Sequence, residues 1–151
     1  GLPHRLEFIR EVDDVKFYND SASTNPETCI AAIHSFHQPL ILIAGGSEKN
    51  TDFAKLGEEI LKATHLKTIV LMWQTQKRIE TAIDNALQTV GERLTPLEIV
   101  TAENYQEAFM TAKVVAKPGD IVLLSPASAS FDMFSGYQER GDIFREFVKS
   151  L

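Results

Sequence analysis

The chemistry-bearing residues of this 151-residue chain gather in three short stretches, each placed where an apolar run gives way to a helical pattern. The first reads Tyr18 to Pro26, YNDSASTNP, and offers Asp20, Ser21, Ser23, Thr24 and Asn25. Asn25 is suited to cap the helix that follows, Pro26 to open it, and Glu27 to sit at its positive end. Acidic, hydroxyl and amide groups at a strand-to-helix junction make a cradle for a hydroxylated or anionic ligand, because open α/β sheets bind ligands at the carboxyl ends of their strands. An Asx or Ser/Thr turn with an N-cap accounts for the same residues without a ligand. The second stretch, GGSEKNTD from Gly45 to Asp52, pairs two glycines with Lys49. It lacks the GxxxxGK[ST] and GxGxxG spacings, so it is neither a P-loop nor a dinucleotide fingerprint. The third, from Ser125 to Gly136, is dense in small hydroxyl side chains ahead of a helix start at Tyr137, an arrangement suited to a carboxylate.

These stretches need a scaffold, and the pattern of the chain supplies one. Leu6–Val12 and Val15–Asn19 are short runs around Asp13-Asp14, a hairpin signal. A helix is expected over Pro26–Phe36, then a buried parallel strand at Leu40–Ala44, LILIA. Thr51 or Asp52 is placed to cap a helix over Phe53–Ala63. Further strands are expected at Thr68–Met72, Leu97–Val100 and Ile121–Leu124, and further helices at Gln76–Thr89, Asn104–Ala116 and Tyr137–Lys149. This alternation predicts an α/β fold: a Rossmann-like, mostly parallel sheet of about six strands with helices on both faces, its first two strands an antiparallel edge. A parallel sheet would bring the loops 19–25, 45–52 and 125–137 to one edge. Arg5, 15 residues before Asp20, stands just outside the first strand, where a hairpin lets the two approach; a surface ion pair is the simplest account.

Composition narrows the function. The chain is 44% hydrophobic and 24% charged, the balance of a globular domain, and no apolar run reaches the about 18 residues that span a bilayer. A net charge of −6 argues against nucleic acid as a partner and requires that any anionic ligand be held by local cations, helix starts and backbone amides. The single cysteine, Cys29, rules out an internal disulfide framework and suits a reducing cytoplasm; on a helix it reads as buried and inert. His34 and His37 could share a helix face, but a solvated helix end explains them better than a metal site.

Taken together, the three loops resemble the C-terminal domain of the Mur ligases. GLPHRLEF is similar to the start of that domain, YNDSASTN to the family's NDSKATN, and ILIAGGSEKNTDF to its strand, glycine pair, lysine and DF. LLSPASASFDMFSGYQERGDIF is similar to LSPACASxDxFxxFxxRGxxF, the most specific match. The likeness runs over residues 1–151 as a single domain, the amino-acid-binding lid of a three-domain ligase. Sister ligases usually carry a first-loop His that is missing here, so the D-glutamate-adding branch fits best.

The resemblance implies an ATP-dependent ligase of peptidoglycan synthesis, cytoplasmic, with D-glutamate and UDP-MurNAc-L-alanine as substrates and no nucleic-acid or membrane partner. ATP with Mg2+ converts a carboxylate to an acyl phosphate, and the glutamate amine attacks it. The N-terminal domain of such ligases holds the UDP-sugar, and the central domain holds ATP and Mg2+. The chain alone is therefore expected to catalyse nothing. By matching position, Arg5 and Asp20 are the nucleotide-binding residues, at phosphate and ribose. Thr24, Lys49, Ser130 and Tyr137 are the amino-acid-binding residues, and no metal ligand falls in this domain. Ala22 stands where the family has lysine, which leaves L-glutamate or another amino acid open. A related Mur or folylpolyglutamate-type ligase domain, or a non-catalytic α/β binding module, remain the competing readings.

Overall fold

Backbone hydrogen bonds join six strands into one sheet in a computed structural model that describes residues 2–131 and 134–151. Gly1, Asp132 and Met133, which belong to the expected domain and to the third-loop motif, lie outside the described residues. In chain order the elements are β1 (Glu7–Val12), β2 (Val15–Asn19), α1 (Pro26–His34), β3 (Leu40–Ala44), α2 (Ala54–Lys62), β4 (Leu66–Met72), α3 (Gln76–Val90), β5 (Glu98–Ala102), α4 (Tyr105–Val115), β6 (Ile121–Leu124) and α5 (Tyr137–Lys149). Their spatial order is β1-β2-β6-β3-β4-β5. β1 runs antiparallel to β2, and the other four pairings are parallel.

The period-2 alternation of strand side chains explains the two-sided cover. Leu40, Leu42 and Ala44 of β3 enter a core with Ile33 of α1, Leu56 and Ile60 of α2, and Ile79 and Ile83 of α3. Ile41 and Ile43 enter a second core on the opposite face, with Phe109 of α4 and Phe144 of α5. A strand buried on both sides cannot alternate polar and apolar, which is why LILIA is unbroken. The hairpin turn has Asp13 at φ 51° and Asp14 at φ 62°, two left-handed residues in succession, the geometry that follows the twist of a two-residue hairpin.

Element edges differ from expectation for local reasons. β1 starts at Glu7 because Leu6 is at φ 44° and its amide is taken by Asp20 Oδ1 at 3.0 Å. Asn25 caps α1 by accepting from Thr28 N at 3.0 Å. α2 departs from the expected capping: Phe53 occupies its N-cap position, and Asp52, one residue earlier, accepts from Ala54 N at 2.9 Å while Thr51 plays no capping part.

Cys29 has no exposed surface, and its thiol donates to the Ser125 carbonyl at 3.2 Å. Burial pushes the thiol up to about 12, with the Ser125 hydrogen bond working against it. A thiol reagent at about pH 8 is therefore expected to leave the native chain unmodified and to react at once in denaturant, because the thiolate is the reacting species. Prompt reaction under native conditions would show that α1 lifts from the sheet.

Candidate functional site

β2, β6 and β3 are neighbours and parallel, so the loops that leave their carboxyl ends lie side by side. Asp20 N donates to Leu124 O at 2.7 Å, Ser125 N to Ile43 O at 3.1 Å, Gly45 N to Pro126 O at 2.9 Å, and Ser47 N to Ala129 O at 2.8 Å. The three expected loops thus form one hydrogen-bonded edge. Gly45 makes the turn out of β3 possible: its φ is 111°, and a Cβ there would stand 2.1 Å from Met72 O.

A fourth loop, residues 73–75 between β4 and α3, joins this edge. Thr75 Oγ1 accepts from Gly46 N at 3.0 Å and lies 2.9 Å from Ser128 Oγ. Gln74 Oε1 accepts from Glu48 N at 2.9 Å. Its sequence signal was the strand end Met72 running into a polar WQTQ before a helix, the same design as the first loop.

The residue that organises the edge is Arg140, which the sequence analysis quoted only as part of a motif. It is fully buried. Its Nε donates to Ser21 Oγ at 2.9 Å and Nη2 to Ser21 O at 2.8 Å. Its Nη1 donates to Ser128 O at 3.0 Å, Ala129 O at 3.1 Å and Tyr105 OH at 3.4 Å. One guanidinium therefore ties the first loop, the third loop and α4. Ser21 Oγ in turn donates to Tyr137 O at 2.7 Å, which fixes the start of α5. Burial pushes the Tyr105 phenol up, against the opposing effect of Arg140, so it stays a donor, here to Gly45 O at 3.1 Å. The available signal was positional: Arg140, Phe144 and Val148 recur at i, i+4 and i+8 on the buried stripe of α5, where a cation needs acceptors.

The N-terminal segment is also part of the edge. His4 is buried, its carbonyl accepts from Ala22 N at 2.9 Å, and its Nδ1 lies 3.1 Å from Asn19 Nδ2. Asn19 Oδ1 accepts from Ser21 N at 3.1 Å, so its amide nitrogen faces His4 and Nδ1 is the acceptor. A Cβ on Gly141 would lie 2.1 Å from His4 Nδ1; the glycine after Arg140 is the space His4 fills. Arg145 holds Glu7 at 2.7 Å and Asp142 at 2.6 Å, closing α5 onto β1.

The six residues singled out beforehand fall as follows. Asp20 is buried, with Oδ1 on Leu6 N at 3.0 Å and Oδ2 on Ser125 Oγ at 2.8 Å. Burial raises its pKa, while the Ser125 hydroxyl, the Leu6 amide and the charge of Arg5 pull the other way. Arg5 is exposed and acts on Asp20 through its charge rather than through the expected contact ion pair. Thr24 is half-buried just before the α1 cap, Ser130 is buried in the third loop, and Lys49 is exposed on the second. Tyr137 is half-buried at the first position of α5, its ring 6.0 Å from that of His4. The N-cap of α5, Gly136, has no side chain to cap the helix, and among the described residues no side chain caps its first-turn amides. His34 points to Glu59 at 4.0 Å. Among the described residues no group of three His, Cys, Asp or Glu side chains has an arrangement to hold a metal ion, and no helix is long and apolar enough to cross a membrane.

Comparison with known proteins agrees with this architecture. The family profile described as Mur ligase, glutamate ligase domain, matches residues 4–128. All 151 residues align at 43% identity with the UDP-N-acetylmuramoylalanine–D-glutamate ligase of Pelotomaculum thermopropionicum, covering 31% of its length. The ligase of the same name from Clostridium novyi is 42% identical and covered to 32%. The chain thus spans under a third of the length of these curated relatives. Among solved structures, E. coli FolC in complex with ADP superposes with a TM-score of 0.59 at 16% identity, over 99% of this chain and 32% of that one. A murein peptide ligase from Psychrobacter arcticus superposes with a TM-score of 0.59 at 14% identity, over 96% of this chain and 30% of its own. At these identities the two superpositions show a shared fold.

Proposed function

The chain belongs to the Mur ligase family, in its glutamate ligase domain, and on that membership we propose that it is the C-terminal domain of an ATP-dependent ligase that joins D-glutamate to UDP-MurNAc-L-alanine in peptidoglycan synthesis. The observation that carries the reading is the 43% identity, over every residue of the chain, to a relative named for that reaction. The domain spans residues 1–151, presents the amino acid, and closes on N-terminal and central domains that bind the UDP-sugar and ATP with Mg2+.

Each residue has a role in this reading. Lys49, exposed on an ordered loop, and Thr24 take the α-carboxylate region of the amino acid. Ser130, Tyr137 and the uncapped amides of α5 take the side-chain carboxylate, an anion suited to a helix start. Arg5 stands exposed at the edge as a phosphate contact, a fit for the nucleotide supported by its exposure and by the reach of its charge to Asp20. Asp20 keeps both oxygens on the scaffold, so it accepts a ribose hydroxyl through remaining lone pairs and serves chiefly to hold Arg5 and the first loop in place. Bound nucleotide supplies the phosphoryl group that activates the acceptor carboxylate. What this domain adds is the orientation of the attacking amine and the exclusion of water from the closed site.

Ala22 favours a second reading within the same reaction, with L-glutamate as the amino acid. Its side chain brings no cation to the first loop, and its backbone amide is already committed to His4 O. The test is ADP and phosphate formation by the full-length protein. Release that requires both UDP-MurNAc-L-alanine and an acidic amino acid supports the ligase. Release without either substrate, or none with any combination, favours a folylpolyglutamate-type ligase or a non-catalytic binding module.

A further inference from the structure

The second loop is clasped from α3 as well as by its own contacts. Glu48 Oε1 accepts from Asn50 N at 2.8 Å and from Arg78 Nη1 at 2.5 Å. The other arm of the guanidinium, Nη2, donates to Thr51 O, and its carbon lies 5.3 Å from the centre of the buried Phe53 ring. On the far side, Gln74 Oε1 holds Glu48 N at 2.9 Å. Arg78 therefore touches residues 48, 51 and 53, and Lys49 with Asn50 forms the apex between those contacts. Asn50 is at φ 58°, a left-handed residue that turns the chain at the apex.

We propose that Arg78 is a positioning residue for Lys49: by clasping both flanks of the apex it sets where the Lys49 ammonium is presented to the amino-acid substrate. The proposal rests on the reading of Lys49 as a carboxylate contact. The chemistry of the clasp requires arginine. A planar guanidinium reaches a carboxylate and a carbonyl at once and lies flat on an aromatic ring, which a lysine ammonium cannot do. The pair is partly exposed, with side-chain exposures of 43% for Arg78 and 32% for Glu48, so its contribution to global stability is small. Its effect falls on geometry, and geometric errors at a reacting amine are amplified in rate.

The experiment is steady-state kinetics on the full-length ligase with Arg78→Ala, Arg78→Lys, Lys49→Ala and the double variant. Arg78→Ala is expected to raise the KM for the amino acid about 10-fold, while the KM values for ATP and UDP-MurNAc-L-alanine stay put. Arg78→Lys is expected to fall between wild type and Arg78→Ala. In the Lys49→Ala background, Arg78→Ala adds less than about twofold, because the residue it positions is gone. If Lys49→Ala raises the amino-acid KM and Arg78→Ala does not, the clasp is overturned and the role of Lys49 stands. If Lys49→Ala has no effect, both fall together. Additive effects in the double variant also overturn the proposal. Should the alanine variant lose its fold, Arg78→Lys decides: a selective rise in amino-acid KM supports the clasp, and unchanged kinetics overturns it.

Discussion

Arg140→Ala is expected to cost the chain about 3–5 kcal/mol of unfolding free energy and to abolish activity of the full-length ligase. The substitution strands Ser21 O and Ser128 O, two carbonyls of buried residues that the guanidinium satisfies, and leaves Ala129 O with Ser47 N as its remaining donor. It also leaves a cavity under α5 and frees Ser21 Oγ, which fixes the first turn of that helix through Tyr137 O. Arg140→Lys is expected to recover only part of the loss, since three donors on one ammonium cannot span five acceptors on three segments. Urea denaturation gives the stability term and ADP formation the functional one. A shift below about 1 kcal/mol would show that the loops hold one another without the arginine.

Lys49→Ala is expected to lower kcat/KM for the amino acid about 10- to 150-fold and to leave the KM for ATP unchanged. That range corresponds to about 1.5–3 kcal/mol for a charge-assisted hydrogen bond to a carboxylate. Lys49 is exposed, and no acceptor among the described residues competes for its ammonium, so the loss is one of binding and not of stability. The denaturation midpoint of Lys49→Ala is therefore expected to match wild type, in contrast to Arg140→Ala. Kinetics equal to wild type would return Lys49 to the solvated surface.

The contrast between these two residues shows what a sequence discloses. The unbroken run Leu40–Ala44 announced a central parallel strand, and Asn25-Pro26 announced a helix start, because both signals are local. The convergence of three loops followed from reading the strands that precede them as parallel. The fourth loop at Gln74 and Thr75, the buried strap at His4 and the hub at Arg140 were hidden, because they are tied to segments far away in the chain, Arg140 to Ser21 across 119 residues. Arg140 was flagged only by its motif, though a lone cation on the apolar stripe of an amphipathic helix is itself a sign of a buried network. Asp20 drew notice as a loop carboxylate, but its part as a buried scaffold acceptor was not legible, since its partners Leu6 N and Ser125 Oγ come from two other segments. Of the two caps offered for α2, Asp52 accepts from Ala54 N, while the N-cap position itself falls one residue later at Phe53, a shift too small for side-chain preference to resolve.

Ala22 and Lys49 together bear most directly on the proposed choice of amino acid. The first loop carries no cation, so in the proposed reading the second loop and the first turn of α5 supply the positive potential for a dicarboxylate. This is why the amino acid itself is the most sensitive probe of the account. The most direct measurement is a competition: the full-length protein is given ATP, UDP-MurNAc-L-alanine and equal amounts of isotopically labelled D-glutamate and unlabelled L-glutamate, and the product is weighed by mass spectrometry. The account predicts a product carrying the label. Unlabelled product would keep the ligase and reassign its amino acid to L-glutamate, and the absence of any product would contradict the proposed reaction.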